Sequence, residues 1–258
     1  MSRIEKKFKE VLGRKGKAFI PYIMAGDPNL ERTRELVGIL EECGADVIEL
    51  GVPFSDPLAD GPTIQKAAQR ALSEGVTLGK VIEFVGSLRR TTQIPIVLMT
   101  YYNLIFRYGE ERFVREAHTA GVDGIIVPDL PPDEAGPLLS FSKNTGFDVI
   151  FLVAPTSTGE RIKKVARASR GFIYYVSITG ITGSKLSVDA SIGSHIEKIR
   201  QTSRKPVAVG FGIATPEEAS EIAKIADGVI VGSAIVKRVE DTDENLKQYL
   251  ISLRKAIG

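Results

Sequence analysis

Glu49 and Asp60 are the residues whose types and setting point first to chemistry. Glu49 is a carboxylate in the apolar run Val47-Ile48-Glu49-Leu50. Burying such a group is costly unless something offsets its charge. The run opens into Gly51 to Pro62, GVPFSDPLADGP, whose three prolines and two glycines shape a loop. That loop carries Asp56 and Asp60. An acid on a rigid strand with another on the loop after it forms a general acid/base pair. The same residues also read as a satisfied core carboxylate followed by turn and cap aspartates.

The elements that must position these acids alternate along the whole chain. Ala18–Met24 reads as a strand, and Leu30–Cys43 has apolar residues at helical spacing, closed by Gly44. Further strands are expected at 46–50, 95–100, 124–127, 149–153, 172–177, 206–209 and 228–231. Helices are expected at 63–72, 78–88, 110–120, 133–142, 158–168, 192–202, 217–225 and 245–256, with Thr215 and Pro216 opening the helix at 217. The strands are continuous apolar runs, the signature of a parallel sheet covered on both faces. Eight strand-helix units in this length predict an α/β (β/α)8 TIM barrel, one domain over residues 1–258. Met1 to Phe19 alternates charge with Ile4, Phe8, Val11 and Leu12, which predicts an extra amphipathic helix across the barrel's bottom.

In such a barrel the loops after the strands gather at one mouth. Glu49, Asp60, Tyr102, Asn103, Asp129, Thr182, Gly212 and Ser233 are placed there together. Three late loops are rich in glycine: Thr182-Gly183, Gly210-Phe211-Gly212-Ile213 and Gly232-Ser233. Glycine lets backbone N–H groups approach a ligand, and a helix opening at Ser233 attracts anions. The order of these loops predicts phosphate binding. GFGI lacks the third glycine of a dinucleotide fingerprint and lies too late in the chain. His118 and His195 fall on helix patterns, and no spacing supports a metal site. Tyr174 and Tyr175 are adjacent on one strand, so only one faces the barrel interior.

Composition narrows the function classes. With 34 Lys and Arg against 32 Asp and Glu, the net charge of +2 gives no prior for nucleic acid or membrane. The single cysteine, Cys43, excludes an intramolecular disulfide. The basic start is followed by no apolar stretch of signal-peptide type, and no transit peptide is seen. A cytoplasmic location is the expectation, or plastid stroma for a plant protein.

The segments FIPYIMAGDP, ELGVPFSDPLADGP, PIVLMTYYNLIFRYG, GITGS, VGFGIATPEEA and VGSAIVK, in this order, closely resemble the α subunit family of tryptophan synthase. They span nearly the whole chain, and the acidic segment is highly specific. The resemblance implies a lyase that cleaves indole-3-glycerol phosphate to indole and glyceraldehyde 3-phosphate by a retro-aldol step, with no cofactor. It implies Glu49 as the catalytic acid/base and Asp60 as the carboxylate accepting the indole N–H. It implies an indole pocket of Tyr22, Met99, Ile126, Tyr174 and Phe211, and a phosphate site of Gly183, Gly212, Ile213, Gly232 and Ser233. Tyr22 stands where Phe is common in the family. Ile178-Thr179 stands where some members carry Arg, so that stretch is given no cationic role.

The family works with a β subunit that holds pyridoxal phosphate, as an α2β2 heterotetramer through which indole is channelled. Pro53, Asp56, Asn103 and Asp129 are the expected partner-facing residues. Thr182 is expected to bind substrate and to hydrogen-bond Asp60 when the loops close. Two other functions fit a barrel of this kind: a sugar-phosphate isomerase, and a non-catalytic activator of a partner. An activator has no need of both Glu49 and Asp60.

Overall fold

The computed structural model describes residues 1–176, 190–210, 212–242 and 244–258, with backbone alone at 190 and 191. Among them lie nine strand segments: β1 (Ala18–Met24), β2 (Ile48–Gly51), β3 (Ile96–Met99), β4 (Gly124–Ile126), β5 (Asp148–Ile150), β6 (Leu152–Val153), β7 (Ile173–Val176), β8 (Val207–Gly210) and β9 (Gly228–Val231). The helices are α1 (Arg3–Gly13), α2 (Leu30–Glu42), α3 (Pro62–Ser73), α4 (Leu78–Leu88), α5 (Tyr102–Tyr108) and α6 (Glu110–Thr119). They continue as α7 (Gly136–Ser142), α8 (Gly159–Ala168), α9 (Ala190–Thr202), α10 (Pro216–Ile225), α11 (Ser233–Glu240) and α12 (Leu246–Ile257).

All strand pairings are parallel, in the order β5-β4-β3-β2-β1-β9-β8-β7-β6. The two ends of that order are one stretch of chain, because only Phe151 separates β5 from β6. Its carbonyl accepts the Tyr174 N–H at 3.2 Å, so the seam joins and the sheet closes as a (β/α)8 barrel. The fifth expected strand is therefore two segments, the first pairing with β4 and the second with β7.

Two cores follow from the period-2 alternation of strand side chains. One lies between sheet and helices. The other fills the barrel with Ile20, Val47, Val97, Ile150, Phe172 and Ile230, and α1 adds Ile4 and Phe8 from below. Each such side chain taken fully out of water contributes about 1.5–3 kcal/mol. The Phe8 and Phe172 rings sit 5.4 Å apart, so α1 covers the bottom as its apolar stripe requires. A capping box on Ser2 and Glu5 starts that helix.

Two element expectations are corrected. The helix expected from Asp133 starts at Gly136, because residues after the Pro131-Pro132 pair form a turn with Glu134 N–H bonded to the Pro131 carbonyl. Two helices, α5 and α11, fill stretches given no full helix. The first is opened by a distant side chain, as Asp129 accepts the Tyr102 N–H at 2.9 Å. The strand expected through Ser177 is present as far as Val176, and Ser177 lies outside the described residues.

Candidate active site

Alternation along β2 decides where Glu49 points. Val47 faces the barrel interior, so Glu49, two residues on, faces it one layer nearer the mouth. Glu49 is 1% exposed, and neither carboxylate oxygen has a hydrogen-bond partner among the described residues. Burial first, and then the Asp60 carboxylate, push its carboxyl up to about 8. A buried acid without a donor keeps its proton at neutral pH, which suits a general acid.

Asp60 sits on the loop between β2 and α3 and is held differently. The Tyr101 hydroxyl accepts the Ala59 N–H at 2.9 Å, and the Phe54 and Tyr101 rings lie 5.3 Å apart. Tyr101 also hydrogen-bonds the Asp60 carboxylate, partly offsetting the rise that burial imposes on it. Gln65 donates to the Asp60 carbonyl at 2.7 Å. The loop thus enters α3 with its acid already aimed.

A cavity of about 280 Å³ opens beside both acids. Tyr22, Met99, Tyr174, Ile64 and Ile230 form its apolar walls, while Gly212, Ile213, Gly232 and Ser233 line its other side. Two glycines make room for the tyrosines. A Cβ on Gly51 would fall 2.1 Å from the Tyr22 hydroxyl, and one on Gly210 would fall 2.4 Å from that of Tyr174. Burial raises both phenols well above their ordinary range, and the Glu49 charge adds to the effect on each. They therefore stay protonated as polar ends of an apolar wall. Gly212 has φ +75, a conformation that favours glycine. Gly232 is the N-cap of α11, so Ser233 opens that helix at the cavity.

The structure thus brings together Tyr22, Glu49, Asp60, Met99, Tyr174, Gly212, Ile213, Gly232 and Ser233. Thr182, Gly183 and Phe211 lie outside the described residues. Ile126 is fully buried in the barrel core with Tyr174 and Ile230, in register with Met99, and is not among the described residues lining this cavity. Of the expected partner-facing residues, Asp56, Asn103 and Asp129 are exposed, while Pro53 is buried beneath its loop. Asp129 also has a local task, opening α5. Tyr175 points away from the interior, its ring 6.2 Å from that of His195. Sequence reasoning missed Tyr101, Thr63, Ile64 and the spacing glycine Gly51. The signal for Tyr101 was its place directly after a strand, at the mouth.

A closed parallel barrel with two unlike carboxylates beside a mouth cavity has the form of a barrel enzyme. The family model for the tryptophan synthase alpha chain matches residues 8–257. The tryptophan synthase alpha chain of Geotalea daltonii is 55% identical over 93% of this chain and 91% of its own. That of Geobacter sulfurreducens is 50% identical over the full length of both. The crystal structure of tryptophan synthase subunit alpha from Legionella pneumophila superposes with a TM-score of 0.91 at 39% identity, covering 100% of this chain and 98% of that one. The chain belongs to the tryptophan synthase alpha chain family. It is a lyase that cleaves indole-3-glycerol phosphate, with indole passed to the β subunit. Pyridoxal phosphate belongs to that β subunit, and the α subunit carries no cofactor.

Proposed function

We propose that Glu49 is the acid/base of the cleavage and that Asp60 stabilises the charge that develops on the indole ring. The observation that carries this reading is the buried, cavity-side Glu49 carboxyl, without a partner among the described residues and pushed up to about 8. In its neutral form Glu49 delivers a proton to C3 of the indole, giving an indolenine-like cation. The resulting carboxylate takes the proton of the side-chain hydroxyl as the carbon–carbon bond breaks. The bonding pair returns to the ring, indole leaves, and the hydroxyl-bearing carbon becomes the aldehyde of glyceraldehyde 3-phosphate. Glu49 ends the cycle protonated, so no outside acid is consumed.

Asp60, anchored through Tyr101, accepts the indole N–H and offsets the ring's positive charge. Preorganised charge of this kind is commonly the largest catalytic contribution. The flat ring lies between Tyr22, Met99 and Tyr174. The phosphate is held at Gly212, Ile213, Gly232 and Ser233, where α11 begins. The chain acts as one barrel domain over 1–258, in an α2β2 assembly and in the cytoplasm, and family membership supports these three points. Among the described residues no helix is long and apolar enough to cross a membrane.

The test is single-turnover indole release by Glu49→Gln and Asp60→Asn, with binding of an unreactive substrate analogue measured in parallel. Loss of chemistry with retained binding supports the assignment. Chemistry in Glu49→Gln at more than about a tenth of wild type removes Glu49 from the role, since general acid/base catalysis contributes roughly 10²–10⁴-fold. Co-purification with the β subunit, followed by sedimentation, checks the assembly.

A further inference from the structure

The main cavity has an electrostatic problem. Its described lining includes two carboxylates, Glu49 and Asp60, and neither a lysine nor an arginine. Yet the substrate brings a phosphate, close to a dianion at neutral pH. Backbone N–H groups at the start of α11 supply partial positive charge, roughly half a unit for a helix end. Among the described residues, that leaves most of the dianion's charge without a counter-charge in the cavity itself.

A second cavity, of about 630 Å³, adjoins the first on the α11 side. The two share Thr63 and Ser233, and the outer one adds Lys237, Arg238 and Asp241. Lys237 lies one helical turn beyond Ser233, on the same face of α11. Helical side chains lean toward the N-terminus of their helix, so the Lys237 stem runs back toward Ser233. Arg238 is engaged elsewhere, its guanidinium carbon 4.0 Å from the centre of the Tyr249 ring. Lys237 is exposed, and among the described residues it forms no ion pair. Asp241 follows Lys237 by four positions, the weaker order for a helical ion pair.

We propose that Lys237 is the counter-charge for the substrate's phosphate, acting from the outer cavity across Ser233. This rests on the phosphate placement given above and extends it, since that placement names only glycines, Ile213 and Ser233. The lysine draws the phosphate end of the substrate inward and holds it at α11. It takes no part in the bond cleavage. An exposed charge acting over several ångströms is screened within a Debye length of about 8 Å at physiological salt, so its effect is salt-sensitive.

The experiment uses the assembled enzyme with Lys237→Gln and Lys237→Glu, checked for unchanged thermal unfolding. Rates with indole-3-glycerol phosphate are measured from about 20 to 300 mM salt, beside the unphosphorylated indole glycerol. The expected result is a KM for the phosphorylated substrate raised about threefold in Lys237→Gln and about tenfold or more in Lys237→Glu at low salt. The kcat stays within about twofold, the difference shrinks at high salt, and the unphosphorylated compound is unaffected. Gly212→Asp separates the two levels of the argument. If Gly212→Asp selectively loses phosphorylated ligands while both Lys237 variants keep a wild-type KM and salt dependence, the phosphate site stands and the lysine role is overturned. If Gly212→Asp weakens both ligand types equally, the phosphate placement falls and the lysine role falls with it.

Discussion

At the base of the barrel Asp46, Asp123 and Asp148 are nearly as deeply buried as Glu49 at the mouth, yet each has partners where Glu49 has none among the described residues. Asp46 accepts the Phe19 N–H at 2.9 Å and pairs with Arg254 at 2.8 Å. Asp123 accepts the Ile96 N–H at 2.8 Å and pairs with Arg89 at 2.8 Å and Arg3 at 2.9 Å. Asp148 accepts the Ser2 hydroxyl at 2.5 Å. These acids stitch strand beginnings to helices, and α1 is held by two of them. A raised pKa does not separate the two ends, because burial also pushes Asp148 up to about 7, despite the lowering effect of Ser2. What separates them is that the base acids face donors and the mouth acid faces a cavity. Buried carboxylates with donors are structural; one held against an empty space without donors is available for chemistry.

The sharpest way to break this contrast is at Glu49. Glu49→Gln is expected to lower single-turnover cleavage about 10²–10⁴-fold, with the unfolding midpoint in urea unchanged or higher, since a costly buried acid is removed. In the wild type, kcat/KM is expected to fall as pH rises through about 8, because the proton-donating form is lost. A rate flat across that range would place the proton on another group. Asp60→Asn comes next, with a loss of about 10²-fold in kcat and little change in stability, read from the same assay.

The reverse pattern is expected at the base. Asp123→Ala leaves Arg89 without its buried partner and is expected to cost about 3–5 kcal/mol in urea unfolding, while kcat per folded molecule stays near wild type. A kcat loss at full stability would erase the distinction between the two ends.

The smallest effect concerns Asp148. Its folded pKa, about 7, lies above the ordinary aspartate value near 4, so the folded state binds the proton more tightly than the unfolded chain. That contribution to stability is full below about pH 4 and is lost as pH rises through about 7. Asp148→Asn keeps a partner for Ser2 and removes the titration. Its melting temperature is expected to decline less than that of wild type between pH 4 and 7. Comparison within a Glu49→Gln background isolates the base residue, because Glu49 acts in the same direction over a higher range.

The fold was readable because a parallel barrel writes itself as repeated apolar runs. The bounds of β1 and β9 are those expected, and Gly44, at φ +88, follows the end of α2 as a glycine stop should. The short α5 was not readable, because the side chain that opens it, Asp129, comes from a distant loop and its own sequence is aromatic rather than periodic. Type and setting singled out Glu49 and Asp60 as a candidate pair but left open a core carboxylate followed by turn aspartates. Tyr101 and Gly51 were missed for a shared reason: each acts on a residue brought near only by folding, Ala59 and Tyr22 respectively.

The join at Phe151 has a bearing on how the molecule behaves in a crowded solution. An open sheet ends in strands whose N–H and C=O groups can template a neighbouring chain, and closure removes that row. Here the strand that would form one border is the strand that would form the other, so β5 and β6 use up both borders within one stretch of chain. Among the described residues, a second copy finds no open sheet border to extend into a filament. Association through this sheet is then a matter of side-chain surfaces and loops rather than of shared strands.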